Sequence, residues 1–569
     1  MSVKSTKILV PIGFSEQSII ALNQACIFAK LDNAKIFLLS VIEERSAMDS
    51  LFLDDNSHEL KKMVHNKLEE LAQKTSKQHS IVDLNNKALA QINGSTIKPT
   101  YDRSRLQAGI VHIGVGNFHR AHLSWYLHRL MQKGMDLDWA IIGSGVTEYD
   151  IPMRKKLASQ DYLTTLIELD PKGNQSSEIV GPMVDYVAVE KDNQPLIQAM
   201  ANPNIRIVSL TVTEGGYFIN EKGELTLDHP DLVYDIQNPD SPRTAFGAIV
   251  SALALRRQSG LGPFTGLSCD NLIENGNKLK QAVLGIAAKR DLELANWIEE
   301  NCTFPNAMVD CIVPRTGDVE INIVKNLGIN DLAPVSHEDF RQWVIEDTFC
   351  AGRPAWEKVG VQFSDNVHGY ESQKIRILNA GHQILANAAE LLHIETVRDA
   401  MKNPLITGLL EKVEENDILP HVSPVPGLTP QDYFKLIADR FANPSIQDTI
   451  RRVAFDGSSR HAVFITPSIQ DGLSKNNSIE GLSLVEALWA RMCEGTREDG
   501  TVIEPNDPQW SKLNSIAKQS KDQPEEWLKQ SEVYGDLFQN THFVNSFSYW
   551  LKKLYTVGVE KTISEYLEN

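Results

Sequence analysis

The segment YESQKIRILNAGHQ carries Lys374, Asn379 and His382 at spacings of five and three residues. Removing the proton of an alcohol without a metal calls for a base at the hydroxyl and for hydrogen-bond donors to the oxygen that becomes negative. A lysine whose pKa is lowered by desolvation is such a base. An asparagine amide and a histidine ring are such donors. On a helix, the two spacings can place the three side chains along one broad face near its start. Residue types alone leave a second reading open, in which all three are ordinary surface and capping residues. No HExxH, GxSxG or P-loop GKS/GKT motif competes for the chemistry.

A second group of residues has the pattern of a nucleotide site. AGIVHIGVG reads as a buried strand ending in a glycine turn, and HRAHLSWYLHRLMQ continues as a single helix. Gly114 allows a tight turn, and Gly116 lets the backbone approach a pyrophosphate at the helix start. With Asn117 and Phe118, which follow, they are the cofactor-binding candidates. His119 stands where the usual fingerprint has its third glycine. An ordinary strand–helix turn would read the same way. The next strand, DWAIIG, runs out shortly before Glu148 and Asp150. Asp150 is the candidate acceptor for the ribose 2′-OH and Glu148 its competitor, although Asp150 lies further from Gly116 than the usual ~20 residues. A carboxylate there repels a 2′-phosphate, which favours NAD over NADP.

The elements that must position these residues follow from periodicity. NIRIVSLTVTEGGY and PFTGLSCDN read as further strands, with helices such as ELANWIEEN between them. Alternating buried strands and helices predict a parallel, doubly wound sheet. After about residue 365 the pattern becomes helical, in QKIRILNAGHQILANAAELLHIETVRDAM, YFKLIADRFAN, IEGLSLVEALWARMCEG and EYLEN. The first 80 or so residues read separately as β-α-β-α. KILVPI and AKIFLLSVIE are the strands, and HELKKMVHNKLEELAQKTSKQHS is an amphipathic helix. LNNKALAQINGSTIKPTYDRS, between this unit and the rest, reads as a linker or an extended arm.

Composition limits the function classes. The 569 residues are 42% hydrophobic and 23% charged, a globular balance. Lys and Arg number 56 against 74 Asp and Glu, a net charge of −18. That disfavours nucleic acid or an anionic membrane as partner. No apolar run approaches the ~18 residues of a membrane span. The opening residues lack the apolar core and cleavage site of a secretory signal. The six cysteines are scattered and form no CxxC pair, which argues against a disulfide framework or a cysteine-rich zinc site. The expected setting is the reducing cytoplasm.

GIVHIGVGNFHRAHLSWYL, VSLTVTEGGY, SCDNLIENG, FPNAMVDCIVP, GRPAWEKVGVQF and KIRILNAGHQ occur in that order. Together they resemble the polyol-specific long-chain dehydrogenases, from about residue 82 to the C-terminus. The resemblance implies an α/β fold, with a Rossmann-type doubly wound NAD-binding domain over 81–365 and an all-helical substrate and catalytic domain over 366–569; the small β-α-β-α unit over 1–80 reads as an appendage before them. It implies an active site between the two larger domains, no metal, and a monomeric core. By position, Lys374 matches the family's general base, and Asn379 and His382 match its oxyanion donors. Asn271, Asp310 and Arg452 fall where the family contacts polyol hydroxyls, and Asp150 where it reads the ribose. Glu371, three residues before Lys374, is a neighbour able to raise the base's pKa. The implied reaction is NAD-dependent oxidation of D-mannitol to D-fructose and its reverse. Arabinitol or sorbitol oxidation, or reduction of fructuronate with Arg452 or Arg460 holding its carboxylate, are the alternatives. Cys311 stands where the family has Arg after the aspartate of its MVDR motif, so a cation is expected to be missing beside Asp310.

KILVPIGFSEQS and NAKIFLLSVIE resemble the first half of a universal stress protein. Gly13 stands where nucleotide-binding members carry an acid, and their phosphate loop is absent. A half-fold leaves an exposed sheet edge. This segment is therefore expected to be a docking or dimerising appendage, or a remnant. A nucleotide-sensing regulatory protein is the alternative from another class.

Overall fold

A computed structural model describes residues 81–569, apart from 93, 221–224 and 447, together with the backbone of strands Lys7–Pro11 and Lys35–Leu39. Those two strands pair in parallel, Lys7 against Lys35 through Pro11 against Leu39. The two helices expected in this segment lie outside the described residues.

The cofactor side is built on a five-stranded sheet whose ladders are all parallel. Its strands are β1 (Ala108–Ile113), β2 (Ala140–Ser144), β3 (Met183–Tyr186), β4 (Ile207–Leu210) and β5 (Thr265–Ser268). Their order across the sheet is β5-β4-β1-β2-β3. β1 is central, and the chain runs outward from it in both directions. The sheet therefore reverses between β1 and β4, the point at which doubly wound sheets leave a crevice at their carboxyl ends. Ile110, Val111 and Ile113 are fully buried, as expected of a strand covered on both faces. The helix expected over HRAHLSWYLHRLMQ is broken in two, Asn117–Ala121 and Leu123–Gln132. The break falls at His122, whose φ of −117° and ψ of −92° are not helical.

Two three-stranded sheets flank this core and were not legible as such in the sequence. Thr164–Leu169 pairs with Gln175–Val180 and Val335–Glu338. Ala307–Asp310 pairs with Gln342–Ile345, which also pairs with Gln362–Phe363. From Val367 to Glu568 the chain is helical, and no strand interrupts it among the described residues. At its centre lie two helices buried almost all round, Ala380–Leu391 and Glu480–Cys493. No helix of the described residues is long and apolar enough to cross a membrane.

Of the two readings of residues 84–104, the arm is what is observed, and it is packed along its length. Val82–Asp83 pairs in parallel with Ile329–Asn330. Leu84 and Ile92 are buried against Leu163, Ile167, Ile179 and Ile329. Ile97 exchanges backbone bonds with Ser177 and Ile179 (2.9 and 2.8 Å), and Arg103 donates to the carbonyls of Gly181 and Met183 (2.8 and 2.7 Å). Apolar residues four positions apart supply the buried face that a free linker lacks. Leu84→Ala removes a fully packed side chain, at a cost of about 3 kcal/mol. It is expected to lower the melting temperature of the dehydrogenase portion by several degrees; an unchanged melt would mean that the arm is dispensable.

Candidate active site

Lys374, Asn379 and His382 lie on one continuous helical rod. Asn366 starts it, its side-chain oxygen accepting from Gly369 N at 3.1 Å. The rod is α-helical over Val367–Gln373, widens to a π-helical turn over Lys374–Asn379, and resumes as α over Ala380–Leu391. In an unbroken α-helix five residues advance a side chain by about 500°, which leaves residues 374 and 379 about 140° apart. A turn closed by i→i+5 bonds brings the later residue back towards the first. The π turn thus brings Lys374 and Asn379 closer in angle than a regular helix would. Such turns are frequent at functional sites.

Lys374 is 9% exposed. Its Nζ donates to Asn271 Oδ1 at 2.6 Å and to the carbonyl of Val309 at 2.7 Å. Both acceptors sit on the cofactor side, Val309 in the strand that ends at Asp310. Glu371 lies one turn earlier. One of its oxygens accepts from Glu274 N at 3.1 Å, and burial pushes its pKa up to about 7. His382 stacks on Phe441 with centroids 4.3 Å apart, and its buried Nε2 has no hydrogen-bond partner among the described residues. Burial pushes its pKa down to about 3, so the ring is neutral across the range in which a lysine base works. It lines a small cavity with Ile312, Arg440, Phe441 and Asp448. Asn379 is half-buried on the same rod.

The cation expected to be missing beside Asp310 is present, supplied from elsewhere in the chain. Arg440, on helix Pro430–Phe441, grips both Asp310 oxygens at 2.7 and 3.0 Å. It also donates to both oxygens of Glu338, at 2.9 and 2.7 Å. Local spacing could not reveal this, because the partners are 130 and 102 residues apart. Arg452 is ion-paired with Asp448 one helical turn before it and remains largely exposed. The structure thus joins the candidates as two groups. Lys374, Asn271 and the Val309–Asp310 strand end form one; His382, Arg452 and Asp448 form the other. Arg440 touches both.

At the glycine turn, Gly114 has φ +94°, and a Cβ there would lie 2.1 Å from the Thr211 carbonyl. Only glycine suits that position. Gly114 N donates to Ser144 O at 2.8 Å and Thr211 Oγ1 donates to Gly114 O at 2.7 Å, which ties together the ends of β1, β2 and β4. A Cβ on Gly116 would meet nothing within 4 Å, so the space before the helix start is open. A pyrophosphate needs such a cradle, and the first backbone N–H groups of a helix are its donors. The side chain of Asn117 is engaged within the protein. It donates to Pro314 O and Thr316 Oγ1 (3.0 and 2.9 Å) and accepts from Arg120 (2.7 Å). Phe118 stacks on His122 at 4.7 Å. Both side chains are thus engaged with protein partners. In place of the third glycine, the ring of His119 lies flat on that of His112 in β1, 3.5 Å between centroids. The stack packs the helix start against the strand through two rings, where a glycine would leave backbone against backbone. Asp150 holds the turn after β2, one oxygen accepting from Val146 N and Thr147 N at 3.1 and 3.0 Å.

Comparison with known proteins agrees with this geometry. Residues 108–358 match the Mannitol dehydrogenase Rossmann domain and residues 366–555 the Mannitol dehydrogenase C-terminal domain. Residues 4–101 match the Universal stress protein family, a span that includes most of the packed arm. Mannitol 2-dehydrogenase of Cereibacter sphaeroides is 51% identical over 473 residues, covering 83% of this chain and 99% of that relative. The Aspergillus oryzae enzyme of the same name is 39% identical, over 85% and 99%. Among solved structures, the Pseudomonas fluorescens mannitol 2-dehydrogenase ternary complex with NAD and D-mannitol superposes with a TM-score of 0.79 at 38% identity, covering 86% of this chain and all of that one. A substrate-free D-sorbitol dehydrogenase gives 0.78 at 35%, covering 85% of this chain and all of that one. Two family models that cover residues 108–358 and 366–555, and a relative 51% identical over 99% of its own length, place the protein in the mannitol dehydrogenase family.

Proposed function

We infer that the protein is an NAD-dependent polyol dehydrogenase that oxidises D-mannitol to D-fructose and runs the reverse reduction. The observation that carries this reading is the Lys374 amine, buried and held by two acceptors. A neutral amine has two N–H bonds to donate and one lone pair. Donation to Asn271 and Val309 orients the nitrogen, whose lone pair takes up the C2 hydroxyl proton. Asn379 and His382 donate to the oxygen as it becomes negative. Asn271, Asp310 and Arg452 contact the other hydroxyls, because a polyol needs several directional polar partners. NAD, when bound at Gly114, Gly116 and the helix start, with Asp150 towards its ribose, supplies the hydride acceptor. On this reading residues 81–365 form the cofactor domain, 366–569 the catalytic helical domain, and 1–80 the appendage.

The D-sorbitol dehydrogenase likeness favours sorbitol as a second substrate. Fructuronate is less well served: of the two cations for its carboxylate, Arg452 is already paired with Asp448, and Arg460 donates to the carbonyl of Val453 at 2.6 Å. Turnover of mannitol, sorbitol, arabinitol and fructuronate, followed at the absorbance of the reduced nicotinamide, should rank mannitol first.

Two substitutions separate chemistry from cofactor binding. Lys374→Ala should lower kcat by about a thousandfold and leave NADH affinity within a few-fold; near-normal turnover refutes the base assignment. Gly116→Val fills open space without backbone strain. It should leave the melting temperature almost unchanged yet weaken NADH binding by at least about tenfold, through steric block of the pyrophosphate. Unaltered NADH titration in that variant would remove the turn from the site.

A further inference from the structure

Arg440 has no assigned role in the reaction, yet it is the most heavily bonded side chain around the site. Its guanidinium is forked between two carboxylates that lie at the ends of two different strands, Asp310 and Glu338, with four contacts of 2.7 to 3.0 Å. Arg440, Asp310 and Glu338 are 6%, 6% and 1% exposed. The ring of Phe340 covers the guanidinium carbon at 4.2 Å. Glu338 also accepts from Ile312 N. Asp310 directly follows Val309, whose carbonyl holds Lys374 Nζ at 2.7 Å. The ion triad and the base therefore hang on consecutive residues of one strand.

We propose that Arg440 is a positioning residue for the oxidation step: by holding the Asp310 carboxylate in a two-pronged pair, it keeps that charge from stabilising the Lys374 ammonium and so sets the pH at which the amine becomes a base. The proposal rests on the reading of Lys374 as that base. The physical reason is direct. A carboxylate within a few ångströms of an ammonium favours the charged form, and the low dielectric of a buried site strengthens the effect. An arginine is always charged and matches a carboxylate with parallel bonds, so the fork both neutralises the acid and fixes its direction. Without Arg440, the cation acting most strongly on Asp310 would be Lys374, ahead of His122.

Other groups face the amine from several elements. Asn271 is neutral. Burial pushes His122, at the break in the helix after β1, down to about 3, so it carries no charge at working pH. Glu371 on the base's own rod is pushed up to about 7 by burial, with Glu274 and Lys278 behind it. Tyr433, beside the triad, is pushed up by burial and stays protonated. On the strand itself the acid is Asp310: burial acts to raise it, but Arg440 prevails and holds it below the ordinary carboxylate range.

The test is the pH profile of kcat/KM for mannitol oxidation in the full-length enzyme, from neutral to strongly alkaline solution. Arg440→Gln should move the rising limb up by about one pH unit, so that activity is about tenfold lower at neutral pH and recovers in alkali. Arg440→Lys keeps a cation and should stay near the wild-type midpoint. Asp310→Asn removes the carboxylate itself and should move the limb in the opposite direction, and it serves if Arg440→Gln fails to fold. A uniform loss of activity in Arg440→Gln with an unmoved midpoint, or an unmoved or raised midpoint in Asp310→Asn, overturns the proposal. Lys374→Ala distinguishes the two levels. A rising limb that survives there sinks the base assignment and this proposal with it. A limb that vanishes there but does not move in Arg440→Gln sinks the role of Arg440 alone.

Discussion

The structure is organised around a single amine donated from the helical half of the chain to two oxygens of the sheet half. Lys374 spans the two with bonds of 2.6 and 2.7 Å. Each side of this contact makes demands on the fold. The acceptors are useful only if the strand ending at Asp310 and the turn carrying Asn271 are rigid. Asn275 contributes to that, bonding Asp270 O and Ala307 O at 3.0 and 2.7 Å. The donor is useful only if its helix is held, and the almost wholly buried Ala380–Leu391 segment holds it. A long, flexible side chain loses much rotamer freedom in such a clamp. On the proposed reading, what is gained is a base already aimed when substrate arrives.

The ion triad of Arg440, Asp310 and Glu338 should be understood in the same way. Taking charges out of water costs more than their attraction commonly returns, so a buried ion cluster is weak evidence for stability. Its value here is geometric: it joins a helix of one half to two strands of the other, next to the base. The pair of neutral imidazoles at His112 and His119 has a similar function at the other end of the crevice. Burial keeps both rings uncharged, so they pack face to face, and the glycine turn sits on a firm strand–helix contact.

What was legible in the sequence is what depends on local pattern. The buried runs of β1 and β2, the glycine turn, the change to helix after about residue 365, and Lys374, Asn379 and His382 on one helix all follow from spacing and residue type. What was hidden depends on distance along the chain. The Asp310–Arg440 pair spans 130 residues and leaves no periodic trace. The arm's apolar residues Leu84, Ala88 and Ile92 are too few to announce a buried face until Ile329 and Ile179 are brought beside them. The break at His122 was missed because no proline or glycine marks it. The π turn was missed for a different reason: its residues are good helix formers, and one i→i+5 turn changes the phase of a helix without changing its composition.

That phase shift makes the site fragile in an unusual way. A wide turn of this kind is an ordinary helix carrying one surplus residue. Deleting a single position between Lys374 and Asn379 would let the rod relax into a regular and more comfortable helix, with its caps and both neighbouring buried segments still able to form. The amine would then keep its place while the amide and imidazole beyond it rotated away by roughly a quarter-turn. The buried Ala380–Leu391 segment would turn with them, so its packing maintains the proposed catalytic face against the helix's own local preference.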